Sequence, residues 1–237
     1  MVVRRLILLL FVAVIPLSAQ YNDYDFGLAM NGVFTTSADL FFNPNSSDPT
    51  IRNQSFTIED ILNPSLELRY RLTEEVLLGL NVEYMRKTTN APNLFAFVGN
   101  NVIRLEVEDG FSLIPIELSA HYLFPFSTEG FKFLMGGGMG YYHGEFIRKF
   151  NDTELSVVER KVAVGIHVSA TMDYVLIDNL AFRFEMKFRD PQFNVRSKYS
   201  KTEVEYEGDV IQLPGEEFET KVNVNGIAFI LGAVFIF

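Results

Sequence analysis

The feature that most constrains the fold of this chain is a strict alternation of apolar and polar residues, clearest at LAFRFEMKFRD, residues 180–190. The even positions carry Leu180, Phe182, Phe184, Met186 and Phe188, and the odd positions carry Ala181, Arg183, Glu185, Lys187 and Arg189. A helix would spread these residues around its circumference, whereas a β-strand places each set on its own face. The segment is therefore predicted to be a strand with one aromatic face and one charged face.

The same period of two recurs along the chain and predicts eight strands. They cover residues 26–35, 66–72, 76–86, 114–124, 131–142, 162–175, 180–190 and 222–237. The connections between them alternate in length: the long ones cover 39–61, 88–110, 144–160 and 190–221, and the short ones 73–75, 125–130 and 177–179. A soluble sandwich would also account for alternating strands. Alternating long and short connections, however, are typical of a barrel whose successive turns lie on opposite sides of a membrane.

Aromatic residues mark both ends of the predicted strands. At the short-turn end stand Tyr70, Tyr122, Tyr174, Phe235 and Phe237, and at the opposite end stand Tyr84 and Tyr141. Two such bands correspond to the aromatic girdles of a transmembrane barrel. The predicted fold is all-β, an antiparallel up-and-down transmembrane β-barrel of eight strands with both termini in the periplasm. A ten-stranded barrel that recruits part of the second or fourth long connection is the alternative.

The first twenty residues, MVVRRLILLLFVAVIPLSAQ, have the pattern of a secretory signal peptide. Arg4 and Arg5 form a basic region, residues 6–15 form an apolar core that is too short to span a membrane as a helix, and small residues follow. Cleavage is expected after Ala19 or Gln20. The chain is thus predicted to consist of a signal peptide, residues 1–20, and a single barrel domain, residues 21–237.

The composition excludes several classes of function. Without Arg4 and Arg5, 18 of the 20 Lys and Arg residues stand against 30 Asp and Glu, a net charge of −12 that disfavours nucleic acid. The chain has no cysteine, which rules out disulfides, thiolate metal sites and a cysteine nucleophile. With three histidines and no EF-hand pattern, neither a metal site nor another cofactor is expected.

The C-terminal segment GIAFILGAVFIF carries a family resemblance. Aromatic and apolar residues alternate backwards from the last residue at Phe237, Phe235, Leu231 and Phe229, with a small Ala233 between them. In this pattern the chain resembles the eight-stranded outer-membrane β-barrel family, the OmpA/OmpX-like barrels of Gram-negative bacteria. The resemblance implies a location in the cell outer membrane, contact with outer-membrane lipid, and recognition of Phe229, Leu231, Phe235 and Phe237 by the barrel assembly machinery.

The polar faces of the predicted strands should form a charged barrel interior. It contains Glu67, Arg69, Arg71, Glu83, Glu117, His121, His167, Asp173, Arg183, Glu185 and Lys187. An eight-stranded barrel is just wide enough for side chains to fill. Because unpaired buried charges are costly, these residues are expected to pair into a plug. A narrow path for ions or small solutes is the alternative. Gly136, Gly138 and Gly140 also face inward and leave room for bulky neighbours or for water.

A catalytic pair is conceivable on the same strands. His167 and Ser169 share a face, and Asp173 or Glu117 would orient the histidine. Lipid A deacylases use a similar His-x-Ser pair, but theirs meets lipid, whereas these residues are predicted to face the lumen. His121 and Ser119 raise the same possibility with the same objection, so the protein is not expected to be an enzyme.

The long connections are the remaining candidates for function. The fourth is acidic and alternates like a hairpin arm, and the second also resembles a hairpin, with Gly99 and Asn100 near its tip. Binding residues favour loops on rigid scaffolds, and exposed strand edges can pair with a partner. The function predicted from the sequence is a structural or surface-interaction role, in adhesion or binding, through the outer loops. A narrow porin-like channel is the second hypothesis and a lipid-modifying enzyme the third.

Overall fold

The computed structural model describes residues 25–98, 101–160, 162–206, 208–213 and 215–237. The predicted signal peptide, residues 1–20, and the predicted hairpin tip at Gly99 and Asn100 lie outside these residues. Within the described ranges, no helix has the length and apolar character needed to cross a membrane.

Most of the described residues form antiparallel strands. In chain order they are β1 (Phe26–Phe41), β2 (Ser55–Arg71), β3 (Val76–Glu83), β4 (Met85–Val98), β5 (Asn101–Leu123), β6 (Phe131–Phe150), β7 (Thr153–Arg160), β8 (Ala163–Ile177), β9 (Leu180–Arg189), β10 (Gln192–Tyr199), β11 (Glu203–Tyr206), β12 (Asp209–Gln212), β13 (Phe218–Asn223) and β14 (Ile227–Ile236). One short helix, α1 (Pro49–Arg52), connects β1 to β2 and is capped by the Asp48 carboxylate, which accepts a hydrogen bond from the Thr50 amide.

Strand pairing closes the sheet on itself. The pairings run β1–β2–β3–β5–β6–β8–β9–β14 and return from β14 to β1, where Gly27 faces Ile236 and Thr35 faces Ala228. Both ends of the described chain and the three short turns lie at one end of this ring, called here the turn end. The opposite end is called the loop end. Because β1 is paired with β2 on one side and with β14 on the other, the ring has no free sheet edge where these strands pair.

The strand count differs from the eight predicted, because the sheet contains fourteen strands. Two of the predicted strands are interrupted, since Tyr84 separates β3 from β4 and residues 224–226 separate β13 from β14. Two others are followed or preceded by a further strand in a predicted loop: β10 begins at Gln192 after β9 ends at Arg189, and β7 ends at Arg160 before β8 begins at Ala163. Pro191 accounts for one break, since it has no N–H for a ladder. The hairpin of β11 and β12 adds the remaining two strands.

The prediction of four long loops was wrong in its extent, since most of residues 39–61, 88–110, 144–160 and 190–221 form strands. These segments also alternate, and most of their inward side chains are apolar. They continue the ring at the loop end as an extension. It comprises β4, β7, β10–β13 and the adjoining parts of β1, β2, β5 and β6, joined by pairings such as Met85↔Leu113 and Phe193↔Val222.

The polarity of the two faces inverts between the ring and the extension, and β5 shows this within one strand. Towards the turn end its outward residues are apolar, such as Leu118, and its inward residues are polar, such as Glu117. Beyond Ser112 the same parity places charged Glu106 outside and apolar Leu105 inside. The ring therefore has the surface of a membrane protein, and the extension has that of a water-exposed barrel.

The first hairpin changes phase between the ring and the extension, so that its inward side chains in the extension are apolar. On β1 the buried positions pass from Val33 and Thr35 to Ala38 and Leu40, from odd numbers to even. On β2 the change occurs at Asp60, whose φ of 56° lies in the left-handed region. Aspartate is one of the few residues that tolerate this region, so the local backbone re-aims both strands.

Candidate functional sites in the barrel interior and wall

The structure buries ten of the eleven residues predicted to line the interior, among them Glu117 and Arg183, which are at most 1% exposed. Arg71 differs from the prediction. It is half-buried at the turn end, and its Nη1 donates to the backbone oxygen of Glu74 at 3.3 Å. It lies at the last position of β2, where the strand passes into the turn, so the alternation no longer fixes its environment. The buried residues form two linked clusters, called here the interior network.

The cluster nearer the turn end is centred on Arg183. Its guanidinium donates two hydrogen bonds to Asp173, at 2.7 and 2.8 Å, and a third to Glu67. Arg69 completes the cluster through Glu67 at 3.0 Å and Glu185 at 3.4 Å. Forked contacts between guanidinium and carboxylate groups are the strongest kind of protein ion pair, so this level is firmly cross-linked.

The second cluster is centred on Arg189 and Glu117. Arg189 donates to both oxygens of Glu83 at 2.7 Å, and Lys187 donates to Glu117 at 2.8 Å. Lys187 also lies 3.8 Å from Glu185, which connects the two clusters. The Tyr142 hydroxyl donates to Glu117 at 3.1 Å and covers this layer on the loop side.

The inward glycines make room for bulky neighbours. A Cβ at Gly136 would overlap the His121 ring, and one at Gly140 would overlap the Tyr142 hydroxyl. A Cβ at Gly138 would overlap the backbone of Leu118. Of the two alternatives that the sequence leaves open for Gly136 and Gly140, room for side chains is the one the structure contains.

The serine and histidine residues combine differently from the predicted pair. His167 Nε2 lies 2.8 Å from the Ser119 hydroxyl on β5, across the glycine strand β6, rather than bonding to Ser169. His121 lies 3.4 Å from Glu67. His167 and Ser119 are 3% and 6% exposed and are enclosed by the ring. The contact therefore satisfies two buried polar atoms.

Three buried cations, Lys132, Arg148 and Arg189, were not included in the interior predicted from the sequence. The sequence places Arg189 on the charged face of its strand, next to the predicted start of a loop. In the structure it lies at the centre of the second cluster and contacts Glu83. Arg148 was assigned to a long loop and instead forms a two-bonded pair with Asp109 inside the extension, at 2.6 and 2.8 Å. The alternation around Arg148 and Arg189 was the available signal.

Above Tyr142 the interior becomes apolar. Buried apolar side chains from eight strands pack together there, including Phe111, Phe146 and Phe193. A second apolar cluster lies further out and includes Leu105, Phe150, Tyr199 and Ile211. The interior thus consists of a polar lower half and an apolar upper half.

The wall between β6 and β7 is open over a short stretch. Pairing ends at Tyr142↔Ala163 and resumes at Lys149↔Glu154, and in the described part of the chain no ladder joins residues 143–148 to β7. A cavity of about 380 Å³ occupies this place. Its lining includes Arg86, Ser112, His143 and Glu145 on the outside and Phe146 on the inside. This feature is called here the wall opening. The Phe193 ring packs on Gly144 behind it.

The outer face of the ring is apolar and exposed, as in Leu118 at 62% and Ile166 at 74%. Of the four C-terminal residues predicted to form an assembly signal, Leu231, Phe235 and Phe237 are exposed on this face and Phe229 is half-buried. Phe237 pairs through its backbone with Phe26, at 2.9 and 3.1 Å. In the described residues, no group of three or more acidic or histidine side chains is arranged to hold a metal ion.

No protein-family model matches the chain, and no curated protein matches its sequence. Solved structures do match. The outer membrane protein OprG of Pseudomonas aeruginosa superposes with a TM-score of 0.61 over 92% of this chain and 98% of its own, at 13% identity. Neisserial surface protein A gives a TM-score of 0.49 over 90% and 97%, at 12% identity. Ail of Yersinia pestis gives 0.46 over 90% and 99%, at 9% identity. The chain has the fold of the outer-membrane β-barrel proteins, as its resemblance to the OmpA/OmpX-like barrels predicted.

Proposed function

We propose that this protein is an outer-membrane β-barrel that is exported by residues 1–20, spans the membrane with its ring of eight paired elements, and acts at the cell surface through its extension. The exposed apolar face of the ring supports the placement, because such a surface is stable only against lipid or a partner. The acidic, water-compatible extension is then on the outside, where it meets surface ligands. The role is interaction or adhesion at the surface rather than ion conduction.

The observation that carries the proposal is the pairing of charges inside the ring. Arg183, Arg189 and Lys187 each contact carboxylates at 2.8 Å or less. A conducting pore needs a continuous water path whose charges are free to meet ions. Charged side chains that pair with one another across a barrel of eight strands instead fill its interior and cross-link its wall.

Single-channel recording in a planar bilayer tests this directly. The refolded wild-type barrel is expected to give no discrete conductance steps. The double variant Arg69→Ala, Arg183→Ala removes both guanidinium groups from one level and is expected to give steps, whereas Arg52→Ala on α1 stays silent. Reproducible steps from the wild-type barrel would make the narrow porin-like channel the better description.

Deletion of the β11–β12 hairpin, residues 203–212, tests the surface role. This hairpin pairs with the remainder of the sheet at Gln212↔Phe97, so the ring should close without it. Proteoliposomes with wild-type or shortened protein would be compared on arrays of surface glycans and matrix proteins. The proposal expects binding by the wild type that is lost on deletion. Equal binding by both, or none by the wild type, counts against it.

A second function is favoured by the apolar upper interior beside the wall opening, namely the capture of a small apolar molecule. Phe193 fills the space behind the opening, so Phe193→Ala should create a cavity there. In nanodiscs, this variant is expected to bind the apolar dye N-phenyl-1-naphthylamine several-fold better than wild type. Phe95→Ala, at an exposed position, is the matched control, and equal dye binding by all three proteins would exclude this function.

A further inference from the structure

We propose that the outer rim of the wall opening binds the phosphate group of an outer-leaflet glycolipid, with Arg86 as its main contact and Ser112 and His143 as further donors. The inference rests on the outer-membrane placement proposed above. It goes beyond the proposed surface role because it assigns a lipid site to the wall of the barrel.

The position of the rim along β5 matches the headgroup layer. Tyr122 marks the girdle at the turn end, and Ser112 lies ten residues further along the strand. At about 3.4 Å per residue and a tilt of about 40°, that distance is about 26 Å along the barrel axis, close to the height of the apolar band of such barrels. Ser112 is also where the polarity of the two faces inverts.

The side chains on neighbouring strands change character at the same level. Met85 is paired with Leu113, so the preceding residue, Tyr84, stands beside Ile114. On its other side, Ile114 is paired with His143. One step further out, Ser112 is paired with Arg86 and with Glu145. Apolar and aromatic residues therefore give way to donors and charges across three adjacent strands at the rim.

Arg86 is the cation that the rim leaves available. Glu154 is engaged by Lys149 at 2.7 Å, Glu145 is engaged by Arg160, and Arg148 is held by Asp109. Glu108 is paired with the same Lys149 in the β5–β6 ladder. Among the described residues, no carboxylate lies within ion-pair distance of Arg86, and this side chain is exposed on the outer face.

The interrupted ladder supplies further donors. In a β-strand, every second residue directs its N–H and C=O groups to the same neighbour. Residues 143–148 of β6 have no strand partner on the side of the opening in the described part of the chain, so about three of their N–H groups face the cavity. Backbone N–H groups beside an arginine are good ligands for phosphate oxygens.

The chemistry of the occupant follows from these groups. A guanidinium fork matches two oxygens of a phosphate, and a hydroxyl and an imidazole N–H can donate to the third. The cavity of about 380 Å³ admits a phosphate with part of a sugar, and Tyr84 and Ile114 line the side from which the acyl chains of a membrane lipid extend. A phosphorylated glycolipid meets both requirements, whereas a free phosphate meets the first alone.

Native mass spectrometry of the refolded full barrel would test the site. The probes are a bis-phosphorylated lipid A, its dephosphorylated form, and inorganic phosphate as competitor. Wild type is expected to retain the phosphorylated lipid about tenfold better than the dephosphorylated one, and Arg86→Gln to lose that preference. Arg52→Gln removes the same charge from the distant helix α1 and should keep it. Ser112→Ala should weaken it by a smaller factor.

Three results would overturn the assignment. These are equal retention of the two lipids by wild type, equal loss in Arg86→Gln and Arg52→Gln, and displacement of the lipid by inorganic phosphate at the lipid's own concentration.

Heat-dependent gel mobility and outer-membrane recovery are measured for every variant. A barrel that inserts and folds but shows no preference refutes the lipid site alone, whereas a barrel that never reaches the membrane refutes the proposed function. If Arg86→Gln fails to fold, Ser112→Ala and His143→Gln decide the question.

Discussion

At the scale of single residues, Arg183 is the centre of the interior network, because it contacts Asp173 and Glu67 at full burial. We predict that Arg183→Leu lowers the free energy of unfolding by about 3–5 kcal/mol, since two buried carboxylates lose their partner. Urea titration of the barrel in lipid vesicles measures this. Arg52→Leu, at an exposed helix position, is the control and should change stability by less than about 0.5 kcal/mol. Equal effects of the two would mean that the network does not stabilise the ring.

Gly136 is the residue that makes room for His121 inside the ring. We predict that Gly136→Ala destabilises the barrel by about 1–3 kcal/mol, because the new methyl group overlaps the imidazole. Adding His121→Ala should recover much of the loss by removing the overlapping ring. Gly130→Ala is the matched control, because a Cβ there meets no atom within 4 Å. Thermal unfolding of the four proteins would show whether the overlap, rather than glycine flexibility, is responsible.

Sequence reasoning placed individual residues well where the alternation is regular and poorly where it stops. Arg183, Glu185 and Lys187 lie inside because a period of two leaves one choice of face. Arg71 and Arg189 stand at the ends of predicted strands, where a shift of one or two residues changes the environment. The contact between Ser119 and His167 depends on the register of three strands, which one sequence does not encode locally.

At the scale of elements, β14 closes the ring, carries the outward Phe235 and is followed directly by the outward Phe237. We propose that these residues also form the assembly signal suggested by the family resemblance. Deletion of Phe237 should then strongly reduce the amount of heat-modifiable barrel in outer membranes, while refolding of the purified chain into detergent is little affected. Phe126→Ala, an exposed aromatic at a short turn, is the control. A parallel loss in both assays would indicate a structural role instead.

The turn between β6 and β7 is tied to the segment after β10 by Asp152 and Lys201. The hydrogen bond from Lys201 lowers the pKa of the Asp152 carboxyl. Because this pKa is depressed in the folded state, the contact stabilises the extension at neutral pH and is lost as the pH falls through the folded pKa. Lys201→Gln should raise the Asp152 pKa towards its ordinary value in an NMR titration, and Lys198→Gln should not. An unchanged pKa would show that the pair does not form in solution.

At the scale of the whole molecule, the inversion of polarity along β5 defines where membrane gives way to water. We predict that Leu118→Arg costs about 2–4 kcal/mol, because it lies in the apolar band, whereas Ser112→Arg costs about 0–1 kcal/mol at the rim. Unfolding in lipid vesicles measures both. Equal costs would mean that the membrane boundary is not at Ser112.

The barrel class followed from the sequence, and so did hairpins in the second and fourth connections, but the joining of these hairpins into one extension did not. The alternation and the C-terminal pattern of Phe235 and Phe237 were sufficient for an outer-membrane barrel. In the extension the alternation persists with the opposite sense, as at Leu105 and Glu106, and it fits hairpins that stand apart as well as hairpins that pair with their neighbours. Only the pairing of distant segments, such as Phe193 with Val222, distinguishes the two.

Ring closure between β1 and β14 has a consequence for the order of events during biogenesis. The pair Gly27↔Ile236 joins β1 to β14, so β1 keeps one unpaired edge until β14 is in place. Contacts so distant in sequence form slowly, and an unpaired apolar strand invites aggregation. If the chain is exported as proposed, the unclosed form must be kept from self-association on the way, and closing the seam between β1 and β14 is the committing step of barrel formation.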